Sequence, residues 1–142
     1  MLLGSLIAGI CFGNADVAGG HCMSESLGGL YDTPHGVANA IMLPYIMEFN
    51  YVADLKKFAR IAAALGENIS ALSERDAAYA AIESVRKLDA DLNIPALAEI
   101  GAKETDLEEL AMRSSVNVSV GSNPRQVTKD DFYAMFKKAL AE

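Results

Sequence analysis

Apolar residues recur at helical spacing along most of the chain, in segments bounded by residues that start or stop helices. The apolar run at residues 1–13, MLLGSLIAGICFG, predicts a buried first helix, although nothing before it supplies a cap. Thr33 and Pro34 are expected to be the N-cap and first residue of a helical run that continues through Tyr45. Pro44, inside that run, predicts a kink.

Four further helices are predicted from their boundary residues. One runs from Tyr51 to Leu65 and ends at Gly66, one is opened by Ser73 with Asp76 and stopped by Pro95, one is opened by Thr105 with Glu108, and one is opened by Thr128 with Asp131. Only Val116, Val118 and Val120 alternate as in a strand, and three positions are too few to build a sheet. The longest irregular segments are expected at residues 28–33 and 117–127. The pattern therefore predicts one all-α domain, a helical bundle over residues 1–142.

Composition and charge narrow the functional classes. Of the 142 residues, 51% are apolar and 22% are charged, which is typical of a globular protein with a real core. The net charge of −7 argues against nucleic acid or an anionic membrane as a partner, because both are bound by clustered Lys and Arg. Cys11 and Cys22 form no CxxC pair, so we expect both to be reduced core thiols in a cytoplasmic protein.

Both histidines of the chain lie within the stretch HCMSESLGGLYDTPHG, residues 21–36. If the first part is helical, His21 and Glu25 share a face and could reach one ion. His35 would lie in the first turn of the next helix, where the helix dipole favours a neutral ring that can bind a metal. Gly28 and Gly29 are expected to form the turn that brings the two helices together.

The spacing alone leaves a purely structural role open, because two histidines fourteen positions apart match no self-contained zinc motif. Asp16 is a weaker candidate ligand, since on a continuous helix it would point away from His21. Asp32 is more simply a turn residue. Asn123, Pro124 and Arg125 could contact a ligand, although a turn is the simpler interpretation.

The stretch GNADVAGGHCMSESLGGLYDTPHGVANAIMLPYIMEFN, residues 13–50, closely resembles the characteristic motif of the iron-containing (group III) alcohol dehydrogenases. The segment GSNPRQVTKDDF near the end is similar to the GGNPRPVT segment of that family. The resemblance extends through the whole chain and implies the all-α C-terminal domain of these enzymes. In the family, an N-terminal nucleotide-binding domain completes the active-site cleft.

The resemblance also implies a site. A divalent ion, Fe²⁺ or sometimes Zn²⁺, is held in the family by one Asp and three His, and His21 and His35 match the last two of these ligands. The bound ion acts as a Lewis acid while hydride passes between an alcohol or aldehyde and NAD(P). The other two ligands and the nucleotide-binding domain correspond to segments before Met1.

Glu25 is a departure from the family pattern, which has a second histidine there, close to the nicotinamide and substrate. A carboxylate is ionised at neutral pH, so the proton-relay role expected of the histidine does not carry over directly. Glu25 could instead be a third ligand beside His21 and His35, or the position could simply tolerate change.

Two functions remain as expectations from the sequence. The chain could be the metal-binding domain of an NAD(P)-dependent alcohol dehydrogenase, inactive or weakly active by itself. Alternatively, it could be a truncated helical domain without catalysis that mediates interaction. In the second case its first helix would lack the segments it normally packs against, so it should expose apolar surface and favour a homo-oligomer.

Overall fold

Seven α-helices and no strand make up the computed structural model, which describes residues 1–142. The helices are α1 (Leu2–Ala15), α2 (Ala18–Tyr31), α3 (His35–Asn50), α4 (Leu55–Ala64), α5 (Glu74–Asp91), α6 (Leu107–Ser115) and α7 (Lys129–Ala141). Short 3-10 turns lie at Tyr51–Ala53, Glu104–Asp106 and Val118–Ser122. The predicted all-α fold class is confirmed. The valine alternation near residue 118 belongs to a 3-10 turn.

The main core lies where α2, α3, α6 and α7 pack together. Phe132 and Phe136 of α7 are fully buried in the same hydrophobic cluster as Met23 and Leu27 of α2 and Leu110 of α6. Each such side chain contributes about 1.5–3 kcal/mol through its removal from water. The amphipathic periodicity of these segments is thus satisfied by one shared core.

A second, smaller cluster joins α3 to the pair α4 and α5. It consists of Met47, Ala62, Ala81, Ile82 and Val85, all buried. The two alanines have short side chains, which let the helix backbones approach closely. This cluster anchors the C-terminal half of α3 on the side away from the main core.

The predicted helix starts at Ser73 and Thr128 are confirmed. The Ser73 hydroxyl accepts a hydrogen bond from the Asp76 N–H at 3.1 Å. Thr128 and Asp131 form a reciprocal capping box. Gly66, with φ of 100°, follows α4 in the left-handed conformation expected of a residue just beyond a helix.

Other predicted boundaries were wrong by a few residues. α3 begins at His35 with Pro34 at the N-cap and no side-chain cap, so Thr33 does not cap it. α4 begins at Leu55, capped by Asp54, because the preceding three residues form a separate 3-10 turn. Thr105 likewise lies inside a 3-10 turn, and α6 starts after it, at Leu107. Pro44 lies within α3, which continues past it to Asn50.

The reversal between α2 and α3 is not made by Gly28 and Gly29, contrary to expectation. Both glycines are inside α2, which continues to Tyr31. Asp32 instead adopts the left-handed conformation, with φ of 53°, and its N–H bonds to the Gly28 carbonyl at 3.0 Å. Aspartate tolerates this conformation better than most residues, which is why the chain can turn there without glycine.

Helix α1 is present as predicted, but its expected burial was wrong. None of its residues is buried, and Cys11 is exposed, whereas Cys22 in α2 is buried as expected. No single helix is long and apolar enough to cross a membrane; α1 and α2 together have the length and composition, but they meet at a bend of 102°. The bend carries α1 away from the two cores, so an apolar sequence is left without packing partners.

The bend is built from residues with left-handed backbone conformations. Asp16 has φ of 65° and Ala18 has φ of 55°. An alanine in this region costs about 1–2 kcal/mol relative to the right-handed conformation, because its Cβ crowds the following carbonyl. The chain therefore enters α2 through a strained residue.

Replacement of Thr128 by alanine is expected to lower the free energy of unfolding by about 1 kcal/mol, because the capping box at α7 loses its hydroxyl acceptor. Urea denaturation of the purified protein measures the loss. Thr105→Ala is the matched control, since Thr105 caps no helix. An equal loss in both variants would contradict the assignment of the cap.

Ala18→Gly is expected to raise the free energy of unfolding by about 0.5–1 kcal/mol, because glycine adopts the left-handed conformation without strain, a gain partly offset by its greater unfolded-state entropy. Ala134→Gly, at an exposed position inside α7, is the control and should lower it by about 0.5–1 kcal/mol. The same denaturation experiment measures both. If both variants lose stability, Ala18 is not strained.

Candidate metal site

The two histidine rings lie side by side, each near the N-terminal end of its helix, α2 or α3. His21 is in the first turn of α2, and His35 is the first residue of α3. Their ring centroids are 5.1 Å apart, with an angle of 51° between the ring planes. His21 is half-buried and His35 is exposed. Two imidazoles this close can present nitrogen ligands to the same ion.

Asn39, one turn further along α3, holds the His35 ring. Its side-chain nitrogen lies 3.0 Å from His35 Nε2 and also donates to the His35 carbonyl at 3.0 Å. Because the amide nitrogen can only donate, it meets the lone pair of Nε2, which is a lone pair that a metal ion would use. Asn39 thereby orients the ring, and an ion bound at Nε2 would take the place of this hydrogen bond.

A cavity of about 730 Å³ opens beside the two rings. One part of its lining is apolar and comes from Leu43, Ile46 and Phe58. Asn50 and Asn123 supply amide groups to the same wall. A second cavity, of about 580 Å³, lies between α5, the loop before it and Tyr51, and no histidine lines it. The first cavity is therefore the one that pairs nitrogen ligands with space for a small organic molecule.

Asp16 lies in the break between α1 and α2, not on a continuous helix with His21 as expected. Its Oδ1 accepts hydrogen bonds from the Val17 N–H at 2.7 Å and from the Ser119 hydroxyl at 2.9 Å. These bonds, with a smaller contribution from His21, hold the pKa of the Asp16 carboxyl below its ordinary value. The carboxylate is thus engaged in fixing the bend.

Glu25 is exposed on α2, one turn after His21. Its Oε2 accepts a hydrogen bond of 2.7 Å from the Asn117 side chain. No group of three or more His, Cys, Asp or Glu side chains in the chain is arranged to hold a metal ion. In this structure, therefore, Glu25 is held by Asn117 and does not complete a ligand set with the two histidines.

Cys22 follows His21 directly but points into the core, where it is fully buried. Burial raises the pKa of its thiol to about 11, with a smaller effect from the Glu25 charge. A metal-binding cysteine must be a thiolate. Cys22 is therefore a packing residue beside the site.

The segment of residues 117–125 contacts the site at several points that the sequence did not reveal. Ser122 Oγ accepts a hydrogen bond from the Ala18 N–H at 3.1 Å, and Asn123 Oδ1 accepts one from the Gly19 N–H at 3.3 Å. Asn50 and Asn123 also form a reciprocal pair of amide hydrogen bonds. The Ser-Asn-Pro turn was the available signal, but nothing local indicated which helix it would contact.

Comparison with known proteins identifies relatives along the whole chain. The C-terminal model of the Fe-containing alcohol dehydrogenase family matches residues 1–140. The 1,3-propanediol dehydrogenase of Klebsiella pneumoniae is 43% identical over 141 residues, covering 99% of this chain and 36% of that protein. The lactaldehyde reductase of Escherichia coli (strain K12) is 37% identical over 140 residues, covering 98% of this chain and 37% of that protein.

Solved structures give the same result. A 1,3-propanediol oxidoreductase superposes with a TM-score of 0.93 at 44% identity, covering 95% of this chain and 36% of that one. An alcohol dehydrogenase from Oenococcus oeni superposes with a TM-score of 0.89 at 42% identity, covering 93% and 35%. The chain thus spans about 36% of the length of the curated relative from Klebsiella pneumoniae. It belongs to the iron-containing alcohol dehydrogenase family and corresponds to the C-terminal, all-helical part of its members.

Proposed function

We propose that this chain forms the metal-bearing wall of the active site in an NAD(P)-dependent alcohol dehydrogenase, as one all-helical domain over residues 1–142. The observation that carries the proposal is the pair of His21 and His35 rings, 5.1 Å apart at the mouth of a 730 Å³ cavity. Their imidazole nitrogens suit Fe²⁺ or Zn²⁺. The remaining ligands would come from outside these residues, since no third ligand joins the pair.

The roles of the individual residues follow from their contacts. His21 and His35 would hold the ion, and an ion bound at His35 Nε2 would replace the Asn39 hydrogen bond to that nitrogen. A divalent ion held there supplies Lewis acidity that makes an alcohol easier to ionise. The apolar lining from Leu43, Ile46 and Phe58 would exclude water from the reacting groups.

The nicotinamide cofactor and the substrate belong to the proposal as well. NAD(P) would be bound mainly by a nucleotide-binding domain that completes the cleft, and the substrate would be a small alcohol or aldehyde. The names of the relatives, a 1,3-propanediol dehydrogenase and a lactaldehyde reductase, support this substrate class. Glu25 lies one turn after His21 and does not line the cavity, so a part in the reaction would require its carboxylate to leave Asn117 and turn toward the histidine rings. We place the protein in the cytoplasm, in keeping with its free cysteines.

A chimaera tests the proposed function. In it, this chain replaces the aligned part of the Klebsiella pneumoniae 1,3-propanediol dehydrogenase. With Fe²⁺ and NAD⁺, we expect it to oxidise 1,3-propanediol, whereas the 142-residue chain alone should show no turnover because it supplies only two ligands. His21→Ala in the chimaera should lower kcat/KM by more than about 100-fold, since loss of a direct ligand costs more than the 10–100-fold typical of outer-shell changes.

Asn68→Ala is the matched control, because Asn68 lies in an exposed loop and its side chain hydrogen-bonds only to Ser70. Glu25→His in the same chimaera tests the position at which this chain departs from the family, and higher turnover would show that Glu25 limits catalysis. A chimaera that stays fully active with His21→Ala would refute the metal role. Ready turnover by the chain alone would refute the need for a second domain.

The exposed helix α1 favours a second candidate function, a helical interaction domain without catalysis. Residues 1–15 carry no charged side chain, and Leu2, Leu3, Leu6, Ile7, Ile10 and Phe12 are all exposed. A helix that is apolar all round is normally buried. A second copy of this chain is the simplest partner that would cover it.

Self-association is therefore expected for the chain in solution. Size-exclusion chromatography with light scattering at micromolar concentration should show an oligomer. Replacing Leu3, Ile7 and Ile10 together by glutamine should yield a monomer, because glutamine keeps the helix while removing the apolar surface. Leu88→Gln with Leu92→Gln is the control, since both leucines are exposed outside α1. A wild-type monomer would rule out this second function.

A further inference from the structure

Helix α2 begins without a cap of its own. Val17 occupies the N-cap position and makes no side-chain hydrogen bond to the helix. The first N–H groups of a helix have no partner within it and need one from elsewhere. Here Ser122 and Asn123 supply the acceptors for Ala18 and Gly19 from a segment 104 residues away. The start of the helix that carries His21 is therefore held by a distant part of the chain.

Asn123 uses every hydrogen-bonding position of its amide. Its oxygen accepts from the Gly19 N–H at 3.3 Å and from the Asn50 side chain at 2.9 Å. Its nitrogen donates to Asn50 Oδ1 at 2.8 Å and to the Arg125 carbonyl at 2.6 Å. Only a carboxamide can accept twice and donate twice in this way. Side-chain chemistry thus fixes both the position and the orientation of Asn123.

Two of the three partners of Asn123, Gly19 and Asn50, belong to the two helices that carry the histidines. Gly19 lies two residues before His21 in the first turn of α2. Asn50 is the last residue of α3, the helix that begins with His35, and it is only 7% exposed. Asn123 therefore ties the start of α2 to the end of α3, and a shift of this tie moves one ring relative to the other.

Gly19 packs closely against both Asn123 and α3. A Cβ atom at Gly19 would lie 3.1 Å from Asn123 Oδ1 and 3.0 Å from Ile46 Cδ1. Contacts this short are tighter than ordinary van der Waals packing, so a side chain at residue 19 would require Asn123, Ile46 or α2 to shift by a few tenths of an ångström.

We propose that Asn123, bonded to both Gly19 and Asn50, is a positioning residue that sets the distance and angle between His21 and His35. The purpose of this positioning rests on the proposed metal-dependent function, but the hydrogen bonds and packing of Asn123 do not. Asn123 lines the same cavity as the histidines and acts on them only through the helices.

Two variants test this role from opposite sides of one contact. Asn123→Ala removes the tie, and Gly19→Ala places a Cβ against Asn123 and Ile46, so that the contact must widen by a few tenths of an ångström. In metal-free protein labelled at histidine, the nuclear Overhauser effect between the His21 and His35 ring protons should be present in wild type and weaker in both variants. Zn²⁺ titration should show binding about 10–100-fold weaker in both.

Ile82→Val is the control for stability. Ile82 is fully buried in the second core, which contains no residue from α2 or from residues 117–125, so this variant should be destabilised yet keep both signals. An inter-ring signal of wild-type intensity in both Asn123→Ala and Gly19→Ala would overturn the positioning role, whatever the titration shows. If wild type binds no Zn²⁺ and the signal is weakened only in those two variants, the positioning role is supported, and Zn²⁺ binding by the two histidines without further ligands is refuted.

Discussion

The first turn of α2 depends on hydrogen bonds from a segment 104 residues further along the chain. Without Ser122 and Asn123, the N–H groups of Ala18 and Gly19 would have no protein partner, and only the hydrogen bonds of Asp16 would hold the strained entry. Histidine geometry, cavity shape and the bend to α1 all follow from where this turn is held. The candidate site is thus a product of tertiary structure and cannot form from α2 and α3 alone.

The sequence predicted correctly those features whose interacting residues lie close together along the chain. Helix starts at Ser73 and Thr128 were correct, because a capping residue and its partner lie three positions apart. The turn predicted at Gly28 and Gly29 was wrong, because glycine in a sequence can indicate either a turn or close packing within a helix. The turn is made by Asp32 instead. The role of Asn123 could not be read from its neighbours, since its partners at residues 19 and 50 are far away in sequence.

The burial of α1 could not be predicted correctly from composition, for a different physical reason. An apolar helix indicates that something must cover it, but the sequence does not say whether the cover is in the same 142 residues. The relatives are almost three times as long as the match, since the chain spans about 36% of the one from Klebsiella pneumoniae. No group of three or more potential ligands contains the two histidines, although their rings lie 5.1 Å apart.

The contrast between the two cysteines has a practical consequence. Cys11 is exposed on α1, while Cys22 is buried and its thiol has a pKa of about 11. A maleimide dye or spin label will therefore attach at a single natural position, without mutagenesis. The fluorescence or mobility of a label on Cys11 reports whether α1 is exposed to solvent or covered by a partner. The native sequence therefore allows assembly to be followed directly.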